Sequence, residues 1–245
     1  MYFFFHLLTG LILGLILADL LRDRRWILPC ALGSILPDLI DKPLGHLLLA
    51  QSLGYGRIYA HTLLFFILLI LAGITLWKYK KSVFCMGLAA GVLSHEVLDQ
   101  MWNLPKNWYW PLLGPFQGRL REDYWLVLIQ RELENPVEAG IAISLCAGAA
   151  LYLFSRERIM KSDTGRAMVK SALLLAAIAL LIFSGIVLGT ALTGEPLKVP
   201  GMTGTGDAVL GGMVLALASF LLWRYYDRIP AGPGVKANRG QKRRP

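Results

Sequence analysis

The stretch FFFHLLTGLILGLILADLL, residues 3–21, is apolar except for Thr9 and for two ionisable residues, His6 near its start and Asp19 near its end. It approaches the ~20 residues that a helix needs to cross a bilayer. Its apolar run exceeds a typical signal-peptide core and its positive charges follow it, so it reads as a retained helix. Six further apolar segments lie at roughly 26–47, 61–77, 82–102, 137–154, 168–191 and 207–226. With 245 residues, 56% of them hydrophobic and 17% charged, the chain is too apolar for an ordinary soluble domain. The expected fold class is all-α: a polytopic membrane helical bundle of about seven transmembrane helices. Segment two carries Pro37, Asp38, Asp41 and Pro43, which mark it as a candidate for a broken or re-entrant helix. Lipid tolerates such a break only where protein or water covers the backbone.

The net charge of +9 is unevenly spread. If all seven segments span, one set of loops and the C-terminal tail carries eighteen Lys and Arg residues and the opposite set carries seven. The positive-inside rule then puts the C-terminus in the cytoplasm and the N-terminus outside the cell membrane. The basic tail (Lys236, Arg239, Lys242, Arg243, Arg244) lacks any nucleic-acid-binding fold beside it. It reads as a juxtamembrane segment attracted to membrane lipid, with no specific nucleic-acid partner. Cys30, Cys85 and Cys146 fall in apolar segments without paired spacing and read as small buried hydrophobes.

Composition divides the chain into a membrane-embedded working domain, residues 1–155, a linker at 156–165, a C-terminal helical pair at 166–228 and a basic tail at 229–245. Every histidine lies in the first part, as does the one long connection, 103–136. That connection is rich in Trp, Tyr and Phe, which suit a membrane interface, and residues 123–134 are expected to form a short interfacial helix. It serves either as an aromatic anchor or as a cover over a site at that interface.

Ionisable groups inside a bilayer are costly and mark functional sites. On the topology drawn from Lys and Arg alone, His6, Asp38, Asp41, His61, His95 and Asp99 all fall in the outward half of segments one to four. His95 and Asp99 project about 40° apart on a helix and present an imidazole and a carboxylate on one side. Asp38 and Asp41 also share a side. Mixed nitrogen and oxygen ligation suits a divalent metal, zinc first and Mn or Fe as alternatives, as one or two ions. The expected ligands are these six residues. Glu96 or Asp41 is the candidate for proton transfer, and Arg57 for binding an anionic substrate group or headgroup. His46 has no companion acid and reads as structural.

Phe5-His6, the stretch from Gly33 to Asp41, the stretch from Arg57 to Thr62, and Gly91 to Asp99 together resemble the YdjM-type membrane-bound metal-dependent hydrolases. The resemblance covers about residues 1–155. Within the family's His-Arg-Gly-x-x-His-Ser-type motif, Gly56 stands where the leading histidine is usual and Thr62 where Ser is usual. The family looks distantly similar to zinc-dependent phospholipases C, which implies hydrolysis of a phosphoester or ester in a lipid or lipid-linked substrate. Two other classes fit the same residues. A transporter or metal-permeation protein would need ionisable groups through the full membrane depth. A non-catalytic assembly protein would need a structural metal with a closed ligand shell.

Overall fold

A computed structural model of the chain describes residues 3–116, 123–150, 161–194 and 204–229. Among these residues all regular structure is helical. The N-terminal part comprises α1 (Phe3–Leu20), α2 (Ile27–Gly33), α3 (Leu36–Pro43), α4 (Leu63–Lys80) and α5 (Phe84–Leu98). The aromatic connection holds α6 (Pro105–Trp108) and α7 (Tyr124–Glu134), followed by α8 (Pro136–Ala150), α9 (Asp163–Leu192) and α10 (Thr205–Arg228).

Four helices, α1, α4, α9 and α10, are long and apolar enough to cross a membrane. They correspond to expected segments one, three, six and seven. Helices α5 and α8 are apolar but 15 residues long, about 22 Å at 1.5 Å per residue, so length alone does not reach seven spans. In α4 Gly73 is the one buried residue while Leu68 and Leu71 are more than half exposed. A helix apolar all round with so little buried needs an apolar surrounding.

Segment two is broken. Pro37 has no N–H to give the Gly33 carbonyl, and the helix stops at Gly33 and restarts at Leu36. After Pro43 the turns widen into a π-helix, Leu44–Leu48. Two glycines let α2 and α5 meet backbone to backbone: a Cβ on Gly33 would lie 2.2 Å from the Leu88 carbonyl oxygen, and one on Gly91 2.3 Å from that of Cys30. This crossing lays the last turn of α5, which carries His95, over the break.

Helix α1 is the hub. Its Phe5 and Ile12 form a buried cluster with Leu98 of α5 and with Val214 and Leu221 of α10. The C-terminal pair is therefore packed onto the N-terminal part and not merely appended to it. Within the pair Ser184 donates to the Gly212 carbonyl at 2.8 Å and Ser219 to the Ala177 carbonyl at 2.7 Å. At one end of α10 Asp207 accepts from Gln100 at 2.7 Å, one residue past Asp99. At its other end Arg224 and Arg228 both pair with Asp19 of α1.

Two expectations change. Helix α9 starts at Asp163, capped by Ser162 accepting from the Gly165 N–H at 2.8 Å, so the last residues of the expected linker are helical. Residues 156–160 of that linker and residues 230–245 of the tail lie outside the described residues. Of the cysteines only Cys30 is buried, Cys85 being half-buried and Cys146 exposed; all three are free thiols.

Candidate metal centre

The Asp99 carboxylate follows directly on α5, and the Asp99 N–H still bonds to the His95 carbonyl at 2.9 Å, so the i, i+4 relation holds. His61 is not at the first turn of its helix. It sits in the turn before α4, where Thr62 caps the helix by accepting from the Phe65 N–H at 3.1 Å. Asp41 explains the shift. Its buried carboxylate accepts from the backbone N–H groups of Ile58 (2.8 Å), Ala60 (2.9 Å) and His61 (3.1 Å), drawing the loop around itself. It also contacts His61 Nδ1 at 2.7 Å.

In the neutral imidazoles these contacts put the proton on Nδ1 of both rings. Beside a carboxylate, His61 Nδ1 carries the proton, which leaves a lone pair on Nε2. His95 Nδ1 lies 2.7 Å from the Ser34 carbonyl oxygen at the helix break. A carbonyl only accepts, so His95 Nδ1 also carries its proton and Nε2 is again bare. Yet the two Nε2 atoms face one another at 3.1 Å. Two bare nitrogens at that distance repel unless a cation or proton lies between them. Two imidazole ligands on one tetrahedral zinc, at about 2.05 Å each, stand about 3.3 Å apart.

Carboxylates converge on the same place. Asp38 Oδ1 lies 3.6 Å from His61 Nε2 and 3.9 Å from His95 Nε2. Asp99 Oδ2 is 3.8 Å from His95 Nε2, and Asp99 Oδ1 is 3.2 Å from His6 Nε2. The His6 ring stacks on His95, with centroids 4.0 Å apart, and both its nitrogens are buried without a hydrogen-bond partner among the described residues. Two groups of donor atoms result, His6–His95–Asp99 and Asp38–His61–His95, each with its atoms within 4.8 Å of one another. The donor set fits a metal ion: compact, buried, of mixed N and O type, with orienting partners already on two imidazoles.

Of the expected ligands, His6, Asp38, His61, His95 and Asp99 are brought together. Asp41 stands in neither group but behind His61, engaged by the loop. Glu96 is 1% exposed; its Oε2 accepts from Trp108 Nε1 at 2.9 Å while its Oε1 has no hydrogen-bond partner among the described residues. Arg57 pairs with Asp99 Oδ2 at 2.7 Å through a guanidinium that remains 35% exposed. Burial disfavours the Arg57 charge, but the Asp99 carboxylate beside it, with Tyr55 and Asp38, outweighs this and raises its pKa.

Several further contacts support the site, and only the first was legible in the sequence. Lys42 holds Asp38 Oδ2 at 2.6 Å, one helical turn away, a spacing that was open to reading. The aromatic connection is tied to the site by Trp108 and by Asn107, which donates to the Arg57 carbonyl at 2.8 Å. His46 stacks on Tyr124 with centroids 3.4 Å apart, and its Nε2 lies 3.0 Å from where a Cβ on residue 56 would stand. The imidazole thus fills the space that Gly56 leaves.

No curated protein and no solved structure matches the chain. The family match extends past the N-terminal part through α9, leaving α10 outside it. With residues 1–191 matching the family model described as YdjM inner membrane protein, the chain belongs to that family of membrane proteins.

Proposed function

We propose that the chain is an integral membrane metal-dependent hydrolase, acting on an ester or phosphoester of a lipid or lipid-linked substrate at the outer membrane interface. The observation that carries this reading is the pair of imidazole nitrogens, His61 Nε2 and His95 Nε2, 3.1 Å apart among the carboxylates of Asp38 and Asp99. His95 belongs to both donor groups, and its single Nε2 lone pair serves one ion, so one centre accounts for both. Zinc suits the donor set best, with Mn or Fe as alternatives. A divalent ion there supplies Lewis-acid activation of water and of the substrate's oxygen.

The remaining roles fall to the chain. Asp41 and the Ser34 carbonyl hold His61 and His95 in the ligating tautomer. Glu96 is the proton acceptor, with Trp108 fixing one carboxylate oxygen and leaving the other free. Arg57, half-exposed beside Asp99, receives an anionic part of the substrate. Four carboxylates (Asp38, Asp41, Glu96, Asp99) face two cations (Lys42, Arg57), so a divalent ion neutralises the local balance and removes the repulsion of such an anion.

The same reading places the N-terminus outside and the C-terminus inside, with seven segments embedded. In its support, the basic loops meet at the end of the bundle away from His6: Arg25 reaches the Lys81 carbonyl at 3.4 Å, and Arg224 and Arg228 reach Asp19. The test of function is purified full-length protein assayed for metal content and for hydrolysis of phospholipids and polyprenyl phosphates, with and without chelator. Chelator-sensitive turnover is expected. Stoichiometric zinc with no hydrolysis would instead favour the structural-metal alternative, and zinc uptake into sealed vesicles the transport alternative.

A further inference from the structure

Outside this centre, on the first turn of α8, Glu138 is a carboxylate only 2% exposed. Its Oε2 accepts from the backbone N–H of Phe4 at 2.7 Å and lies 3.3 Å from that of Phe5. Those N–H groups belong to the first turn of α1, where the helix has no internal acceptor for them. The carboxylate therefore caps α1 from 133 residues away in sequence, and its charge complements the positive end of the helix dipole. Glu138 is itself held: Asn135 Oδ1 accepts from the N–H of Val137 at 2.9 Å and from that of Glu138 at 3.4 Å, fixing the first turn of α8. The next residue after Phe5 is His6.

We propose that Glu138 is a positioning residue for His6, setting the height and rotation of α1 so that the His6 imidazole lies against His95 and Asp99. In metal binding its role rests on the reading of the centre given above. The His6 ring stacks on His95 and its Nε2 lies 3.2 Å from Asp99 Oδ1, and both contacts depend on where the start of α1 sits. A cap that binds the N–H groups of the two preceding residues fixes the backbone from which His6 projects.

The experiment is a double-mutant cycle on full-length protein in detergent, with zinc affinity from competition with a chromophoric chelator. Glu138→Ala is expected to weaken zinc binding about tenfold in the native background, as loss of an orienting partner does, and by less than about twofold once His6 is already alanine. Glu138→Gln keeps an acceptor oxygen and should retain most of the affinity. Equal losses in both backgrounds, or an unchanged affinity with only a lowered Tm, would overturn the proposal. The second readout is independent of metal. The chain has four histidines, so ring spectra of 15N-histidine-labelled protein resolve each one. In Glu138→Ala the His6 signals should move while those of His46 stay. If the native protein binds no zinc, the metal reading fails, and positioning stands or falls on whether the His6 signals move.

Discussion

The two ends of α1 carry one ionisable residue each, and they solve the same physical problem in opposite ways. At one end Asp19 is 20% exposed and answered by two arginines from the last turns of α10. Charge, hydrogen bonds and solvent access are all satisfied, and nothing there calls for a further ligand. At the other end His6 is 1% exposed and stacked on His95, and its nitrogens form no well-aligned hydrogen bond although Asp99 Oδ1 lies 3.2 Å from Nε2. Buried polar groups are almost always satisfied, so a dense cluster of unsatisfied ones identifies the place where the molecule expects something else. The lesson is that an ionisable residue in an apolar helix marks function only when its neighbours fail to complete it.

That contrast breaks first at the imidazoles. His95→Ala removes the nitrogen shared by both donor groups and should lower zinc affinity by more than about 100-fold, beyond the range seen for orienting residues. His61→Ala should do nearly the same. Metal analysis of the purified variants checks both, and a native-like zinc content in His95→Ala would dissolve the distinction between the two ends. Asp41→Asn comes next. It retains one acceptor for the loop N–H groups but weakens the hold on His61 Nδ1–H, and a loss of about 10- to 100-fold in zinc affinity is expected. The same titration run against pH sharpens the point. Imidazoles must be unprotonated to ligate, so zinc affinity should fall as the pH is lowered. A pH-independent affinity would mean that carboxylates alone hold the ion.

How far the chain could be read in advance follows the range of the interactions. The helical class and the four long spans come from local apolar runs. The His95/Asp99 pair comes from one turn of helix, and the break in segment two from Pro37. Asp38 and Asp41 were equally legible as a pair on one side, yet they serve differently, because Asp41 is captured by the N–H groups of Ile58, Ala60 and His61, and nothing in residues 37–43 announces that loop. The tautomers of His61 and His95 needed partners 20 and 61 residues away. The cap by Glu138 and the clamp of α10 on α1 are longer-range still. Both rest on single carboxylates whose local sequence looks like any helix start or end.

The smallest expected effect lies at the satisfied end, and it is the control that gives the others their meaning. Asp19→Asn removes the charge that Arg224 and Arg228 share but leaves an amide oxygen able to accept from one of them. The arginines are 45% and 49% exposed, so water and headgroups can take up the rest. Zinc content and pH dependence should be those of the native protein, with at most a slight fall in Tm. If Asp19→Asn instead lowered zinc affinity as much as Glu138→Ala, then α1 would transmit strain along its whole length. The centre would then depend on how α10 is docked, and the two ends could no longer be treated as separate. An unchanged affinity would confine the centre's requirements to the His6 end, where the unsatisfied atoms are.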